Sequence, residues 1–184
     1  MCNLYEQEKA WLAYCEFMQA EALPAPLQAD APDLPIGSKR PSDPAAVILS
    51  AGGKPRLELL PWSWKRADGR PLLNVTAERW KGPPAARGIV PIDAFYEYRG
   101  EKAPKQQWRF TPTANEPQGF AVAVQDGRYV LITTEPGPDV EPVHDRQPAI
   151  LGLRDWHAWL SEPDWPRQLL KPSPAGALQA MQTR

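Results

Sequence analysis

The pattern of apolar and polar positions predicts a chain built mainly from short strands. Apolar runs at 45–50 and 56–60 flank a glycine-containing turn, which predicts a hairpin. The stronger signal is Gly119 to Thr134, where two apolar runs enclose the turn dipeptide Asp126-Gly127. Both arms of this second hairpin are continuously apolar, so we expect it to be central and buried on both faces.

The segment 87–98 predicts one buried strand or a pair of short strands, because β-branched residues precede three aromatic residues. In an extended chain Glu97 would share a face with Phe95, while Tyr96 and Tyr98 would point the other way. Burial would raise the pKa of Glu97 and make it a candidate proton carrier near neutral pH. The alternative is an edge strand with Glu97 directed into water.

Helical spacing of apolar residues predicts a first helix over 6–22, with Cys15 as a small buried residue on its apolar stripe. A second short helix is predicted over 154–160, in which His157 is interpreted as structural. A short helix could begin at Thr76 or Ala77, and one interpretation of Asn74 is a cap of that helical turn. Further strands are predicted at 107–111, next to the central hairpin, and at 149–151.

Proline is abundant, with 23 residues in a chain of 184, which disfavours long helices and favours loops. Prolines between 24 and 44 predict an extended surface crossing, and the last ten residues are expected to be loosely held. There is no apolar run long enough to span a membrane and no secretory leader, and two cysteines are most simply reduced thiols. These features predict a single cytoplasmic domain.

Net charge is −1, but it is unevenly distributed. Residues 54–109 contain twelve Lys or Arg against six Asp or Glu, and several aromatic residues lie between them. Basic residues with interleaved rings are typical of a groove for single-stranded nucleic acid. The alternative, which composition alone favours, is a solvated basic face over a tryptophan-rich core.

Cys2 has chemistry that an internal cysteine lacks. Removal of Met1 would leave an α-amine, with a pKa of about 8, on the same residue as a thiol. Such an aminothiol can form an imine with an aldehyde and then close a thiazolidine ring by thiol addition. The alternative is that Cys2 is merely tolerated in a frayed terminus.

His144 lies in a loop between a buried hairpin and another short strand, and such loops often carry reactive residues. The alternative is a surface histidine. Two histidines and two cysteines in unrelated contexts do not form a zinc site, and no phosphate loop or dinucleotide fingerprint occurs.

Several short motifs occur in a recognisable order. They are Met1-Cys2, Leu60-Pro61 with Trp64, Asn74-x-x-x-Glu78, Val90-Pro91 through Phe95-Tyr96-Glu97-Tyr98, Ile132-Thr133-Thr134, and His144-Asp145-Arg146-x-Pro148-x-Ile150-Leu151. On these motifs the chain resembles the SOS response-associated peptidase family, whose members process abasic sites in DNA.

The resemblance implies an α+β fold with one domain. Its core would be a curved mixed or antiparallel β-sheet approaching a barrel, flanked by short helices. The matching region is residues 1–160, and residues 161–184 would form a proline-rich extension packed on that domain or trailing from it.

The resemblance also implies the site residues. Cys2 would be the nucleophile, using its amine and thiol on the ring-opened sugar of an abasic site, and Asn74 would hold the new N-terminus or the sugar. Glu97 would orient the amine and move protons. His144 would protonate the sugar ring oxygen and act as an acid or base in strand cleavage or reversal. The family's peptidase activity would be self-processing that exposes Cys2.

The expected partner is single-stranded DNA with abasic sites, bound by a monomer without metal or cofactor, in the bacterial cytoplasm and at the nucleoid when on DNA. Arg146 would contact a phosphate. The basic and aromatic residues assigned to DNA binding beside it are Trp64, Lys65, Arg66 and Arg87.

Five departures from the family pattern occur, and they concern DNA affinity more than chemistry. Leu4 and Thr76 stand where arginines are usual, which would remove two phosphate contacts and flatten the salt dependence of binding. Gly88 stands where the family has cysteine, and Leu57-Glu58 where it has Trp-Gly. The usual C-terminal Val-Asn segment is missing, so we expect the last strand of the sheet to be absent.

Three hypotheses follow. The preferred one is an abasic-site-processing protein that crosslinks through Cys2. A second is a non-covalent nucleic-acid-binding module that retains the fold. A third is a Cys-His hydrolase of a peptide or amide, with Cys2 activated by His144 and Glu97.

Overall fold

Strands dominate the structure, as the proline content and the short apolar runs predict. The computed structural model describes residues 2–9, 11–20, 36–51, 54–80, 86–161 and 166–184. Of these described residues, strands account for 48% and helices for 12%. The α+β fold class is therefore confirmed.

The elements occur along the chain in the following order. They are β1 (Tyr5–Gln7), α1 (Trp11–Ala20), β2 (Gly37–Lys39), β3 (Pro44–Ala51), β4 (Lys54–Pro61), β5 (Trp64–Lys65), β6 (Pro71–Leu72), β7 (Asn74–Thr76), β8 (Ala86–Ile92), β9 (Ala94–Arg99), β10 (Gln106–Pro112), β11 (Gln118–Gln125), β12 (Arg128–Thr134), β13 (Gln147–Pro148), β14 (Ile150–Gly152), α2 (Leu153–Ser161) and β15 (Leu178–Gln182), with a 3₁₀ turn at Arg167–Leu169 before β15.

Two main sheets form the fold. The first has five antiparallel strands in the order β15-β10-β9-β1-β2. The second has the order β13-β12-β11-β8-β3-β4, with β14 added to β11 and β7 added in parallel to β12, so it is mixed. The sheets are not closed, so the fold approaches a barrel without becoming one.

Period-two alternation gives the second sheet two apolar faces, each of which is covered. One face joins the first sheet in a core that includes Phe95, Phe110 and Phe120. The opposite face is covered by the two helices, which contribute residues such as Tyr14 and Trp159. The layers are therefore sheet, sheet and helices, which explains why β8 and β11 are apolar on both sides.

The predicted hairpins are confirmed. Strands β3 and β4 pair along their full length. Strands β11 and β12 pair across Asp126 and Gly127, which have φ angles of 51° and 67°. Positive φ at both turn residues matches the twist of a hairpin, and glycine and aspartate tolerate it best. The short helix α2 is also confirmed, but His157 is exposed on its outer side rather than packed inside.

Three predictions about the bounds or positions of individual helices and strands are wrong. The first helix does not begin at residue 6, because Tyr5 and Glu6 pair with β9 and the helix starts at Trp11. The segment after Asn74 is not a capped helical turn, since β7 pairs in parallel with β12 and a turn follows it. The strand at 107–111 exists but lies in the first sheet, beside β9 rather than beside the hairpin.

The C-terminal residues are better held than the sequence predicts. Strand β15 pairs with β10 from Leu178 to Gln182, so the expectations of a missing last strand and a loosely held end are wrong. The predicted surface crossing is only partly visible, because residues 24–35 lie outside the described residues. Cys15 is buried as predicted. Among the helices described, none is long and apolar enough to cross a membrane.

Candidate active site

Cys2 is fully buried beside β9, within the core between the two sheets. Its Sγ donates to the carbonyl oxygen of Leu4 at 3.4 Å. The same carbonyl accepts the backbone N–H of Tyr96 at 3.0 Å, which continues the β1–β9 pairing toward the amino terminus. Cys2 is therefore held by the sheet and does not lie in a frayed terminus.

Asn74 fixes Cys2 from the second sheet. Its Nδ2 donates to the Cys2 carbonyl oxygen at 3.1 Å. The preceding residue, Leu73, accepts from the Leu131 backbone N–H and from the Trp62 indole N–H, both at 3.0 Å. Within the described residues the buried Asn74 Oδ1 has no hydrogen-bond partner, so it can accept from an incoming group.

Glu97 lies on the inner face of β9 with Phe95, and only 1% of the residue is exposed. Strand β9 is central in its sheet, so the alternative of an edge strand with Glu97 in water is wrong. Burial raises the pKa of Glu97 to about 7, and the negative charge of Asp145 adds to this rise. The positive charge of the amino terminus is the main cause that opposes this rise in the pKa of Glu97, and the backbone N–H of Cys2 opposes it as well.

His144 is half-buried and faces Glu97. Its Nδ1 accepts the backbone N–H of Arg146 at 3.0 Å, and its Nε2 lies 3.7 Å from Glu97 Oε2. Oδ1 of the exposed Asp145 also lies 3.0 Å from Nδ1. Because Nδ1 accepts the Arg146 N–H and so carries no proton, the neutral tautomer with its proton on Nε2, directed toward the carboxylate, is favoured. Burial lowers the pKa of His144, although the neighbouring Asp145 opposes this.

Electrostatics keep the Cys2 sulfur protonated. Burial raises the pKa of the thiol well above its usual range, and the negative charge of Glu97 raises it further. The sulfur donates to a carbonyl and does not form an ion pair with His144 among the contacts described. The resting sulfur is therefore a thiol, unlike the thiolate of a Cys-His hydrolase.

An open cleft of about 450 Å³ leads to these groups. Glu97 and His144 lie in its wall, and Asn3, Tyr98, Ala103, Pro104, Lys105 and Arg184 complete it. The structure thus brings together all four predicted site residues, Cys2, Asn74, Glu97 and His144. In the described residues there is no group of three or more His, Cys, Asp or Glu that could hold a metal ion.

Three of the predicted DNA contacts lie away from this cleft. Trp64 donates through its indole to the Arg128 carbonyl at 3.1 Å, where β12 begins. Trp64 and Lys65 line a different cavity, of about 240 Å³, together with Gln125, Asp126 and Arg128. Lys65 and Arg66 follow Trp64 and are exposed there.

The other two predicted contacts have different surroundings. Arg87 lies over the ring of Trp159 in α2, with 5.8 Å from its Cζ to the ring centroid, on the face of the sheet opposite Cys2. Arg146 donates to both carboxylate oxygens of Glu78, at 3.0 and 2.9 Å, and to the Thr133 carbonyl. It orders the loop that carries His144, and a phosphate contact by either arginine remains a prediction.

Fold and site together define an α+β protein whose second residue, a buried cysteine, lies behind the wall of a cleft with an amide, a carboxylate and an imidazole grouped around it. The chain belongs to the family described as SOS response associated peptidase (SRAP), whose sequence model matches residues 40–184. The match covers Asn74, Glu97 and His144 but begins after Cys2.

Curated relatives carry names that refer to abasic sites. The abasic site processing proteins YoqW and YoaM of Bacillus subtilis are both 28% identical to the chain, over 170 and 169 residues. The alignments cover 77% of this chain and 75% and 74% of the relatives.

Solved structures share the fold. A protein from Bordetella bronchiseptica has a TM-score of 0.73 at 22% identity, with full coverage of both chains. A protein from Bacteroides thetaiotaomicron has a TM-score of 0.74 at 19% identity, covering 100% of this chain and 92% of its own.

Proposed function

We propose that this protein processes abasic sites in single-stranded DNA by forming a covalent thiazolidine link through Cys2 once Met1 has been removed. The observation that carries the proposal is the position of Cys2. Its carbonyl is held by Asn74, the charge of Glu97 acts on its thiol, and Glu97 in turn faces His144. Family membership and the names of the relatives point to the same substrate.

The chemistry takes place in two balanced steps. The free amine of Cys2 adds to the ring-opened sugar aldehyde, and loss of water gives an imine. The thiol then adds across the C=N bond, so that the sulfur bonds to carbon and the thiol proton passes to nitrogen. The product is a five-membered ring that retains every atom of the imine and the thiol.

Glu97 and His144 are suited to the proton transfers in these steps. A carboxyl group with a pKa of about 7 can take a proton from the amine and return it to the departing hydroxyl. The Nε2–H of neutral His144 can donate a hydrogen bond at the mouth of the cleft, to the sugar oxygen that is released on ring opening. The same pair would serve in strand cleavage by β-elimination or in reversal of the link.

The protonated state of the sulfur supports amine attack before thiol attack. A thiol whose pKa is raised by burial is a poor first nucleophile, whereas it can add to an imine as its proton leaves. This favours crosslinking over the hypothesis of a Cys-His hydrolase. Removal of Met1, by the protein itself or by an aminopeptidase, is part of the proposal, as are monomeric action and a place in the bacterial cytoplasm and nucleoid.

The test uses purified full-length protein and an oligonucleotide from which uracil has been excised. We expect a heat-stable adduct with wild-type protein and with Cys15→Ala, whose cysteine is buried elsewhere, but not with Cys2→Ala. Cys2→Ser would give only an imine that must be trapped by borohydride reduction. Adduct formation by Cys2→Ala, or intact Met1 on protein purified from its native host, would contradict the proposal and favour a non-covalent binding module.

A further inference from the structure

Two cations in the wall of the cleft have no assigned role. Lys105 and Arg184 both line it, and both are exposed. Within the described residues neither of them forms an ion pair with a carboxylate. Each therefore presents its charge to whatever enters the cleft.

The first sheet fixes where these cations lie. Lys105 immediately precedes β10, at the end of the connection from β9 that forms part of the wall. Arg184 follows β15, and its carbonyl accepts the Gln107 backbone N–H at 2.9 Å. The Thr183 N–H donates back to the Gln107 carbonyl at 2.8 Å, so the ladder between β10 and β15 extends to the wall.

Lys105 is close enough to affect the site electrostatically. It lines the same cleft as His144, and its positive charge adds to the effect of burial in lowering the pKa of His144. Of the side chains that line the cleft, Glu97 is the carboxylate and is buried at its base, while Lys105 and Arg184 are the two cations and are exposed. Asp145, which contacts His144, is 91% exposed and is not part of this lining.

Other cations near the site are already balanced. Arg146 is paired with Glu78, and Arg109 with Glu6. Leu4, which stands where an arginine is usual in the family, is only 7% exposed and packs in the core. Because leucine takes the place of that arginine, position 4 supplies no cation to the cleft.

We propose that Lys105 and Arg184 form a phosphate-binding subsite that holds the backbone of the DNA strand as its abasic sugar enters the cleft. The subsite rests on the proposed function for the identity of its ligand. It assigns the phosphate contacts of this chain to the β9–β10 connection and to the residues after β15, rather than to the region of Trp64, Lys65 and Arg66.

The test separates the subsite from the crosslinking chemistry by using oligothymidine, which has no abasic site. Binding to labelled oligothymidine is measured by fluorescence anisotropy across a series of salt concentrations. The variants are Lys105→Gln, Arg184→Gln and their double mutant. The charge-matched control is Arg154→Gln, on the exposed side of α2, and the competing pair is Lys65→Gln and Arg66→Gln.

For single strands each phosphate contact contributes about 0.7 to the slope of log affinity against log salt. We expect Lys105→Gln and Arg184→Gln each to reduce the slope by about that amount and their double mutant by about twice as much, with Arg154→Gln unchanged. An unchanged slope in the two rim variants, an equal loss in Arg154→Gln, or a loss in Lys65→Gln and Arg66→Gln instead would overturn the subsite.

The two proposals can fail separately. If wild-type protein forms no adduct with abasic DNA but the rim variants lose their slope, the crosslinking function fails and the subsite stands. If wild-type protein forms the adduct but the rim variants keep the wild-type slope, the subsite fails and the crosslinking function stands. With abasic DNA, the rim variants should need a higher protein concentration for half-maximal adduct formation, by the same factor as their loss of oligothymidine affinity.

Discussion

His144 Nε2 and Glu97 Oε2 lie 3.7 Å apart, so the two proton-carrying side chains of the site face each other across the cleft. Burial shifts them in opposite directions, raising the pKa of Glu97 to about 7 and lowering that of His144. At neutral pH the pair therefore consists of a neutral imidazole and a carboxyl group close to half-ionised. Such a pair can accept and donate protons near neutral pH at a small cost in free energy.

Replacing Glu97 by Gln should slow adduct formation by about a hundredfold to ten-thousandfold, the usual contribution of one acid–base group. In wild-type protein the rate should rise as the pH passes through about 7, because ionised Glu97 takes the proton of the attacking amine. The variant should lose this inflection. Rates from gel-resolved adducts between pH 5 and 9 would show it, and an inflection retained in Glu97→Gln would assign the titration to another group.

The same substitution should stabilise the protein at alkaline pH. In the unfolded chain Glu97 ionises near pH 4.5, but in the folded protein only near 7, so stability falls as the pH rises through this window. The loss above pH 7 is on the order of 3 kcal/mol. Thermal unfolding should give a higher Tm for Glu97→Gln than for wild type at pH 8, and the same Tm at pH 4. A lower Tm at pH 8 would mean that the ionised carboxylate is well compensated in the fold.

His144 should be neutral at pH 7 with its proton on Nε2. The reason is that Nδ1 accepts the Arg146 N–H at 3.0 Å, whereas the Asp145 carboxylate at the same distance from Nδ1 is exposed to solvent, and burial lowers the pKa of the ring. Nitrogen-15 NMR of the imidazole distinguishes the tautomers, and exposed His157 provides an internal reference for a solvated ring. A proton on Nδ1, or a doubly protonated ring at pH 7, would contradict this assignment.

Much of the strand framework could be predicted from the sequence. The hairpin around Asp126 and Gly127 was predictable because positive φ restricts the residues that a two-residue turn accepts. The start of the first helix was not, because pairing of Tyr5 and Glu6 with β9 overrides their helical spacing. Strand β15 has little apolar alternation of its own and is formed by pairing with the edge of β10.

The site was predictable only in part, because pairing between distant segments of the chain assembles it. The aromatic run around Glu97 left both a buried and an exposed carboxylate open, and no local pattern brings Cys2, Asn74 and His144 to it from three other parts of the chain. Their proximity was expected from the family resemblance. The places of Lys105 and Arg184 depend on the pairing of β10 with β15, so their net charge was visible in the sequence but their position in the cleft was not.

Removing the amide donor of Asn74 should loosen Cys2 without unfolding the protein. Asn74→Asp keeps the size of the side chain but replaces the Nδ2 donor to the Cys2 carbonyl, 3.1 Å away, with a repelling oxygen. We expect adduct formation to slow by roughly tenfold to a hundredfold, equivalent to about 1.5–3 kcal/mol for a buried bond whose acceptor is left unpaired. Asn115→Asp, at an exposed position, controls for the added charge. Equal rates in the two variants would show that Asn74 does not position Cys2.

Gly88 explains one departure from the family pattern and gives a test of the core. A Cβ at this position would lie 2.8 Å from Val47 Cγ1 and 2.9 Å from Leu49 Cδ2. Because both side chains are buried between the sheets, Gly88→Cys and Gly88→Ala should destabilise the protein by about 1–3 kcal/mol through overpacking. Gly152→Ala is the matched control, since its Cβ would meet nothing closer than 3.5 Å. Urea unfolding measures the difference, and Gly88→Ala as stable as Gly152→Ala would mean that Val47 and Leu49 can move aside.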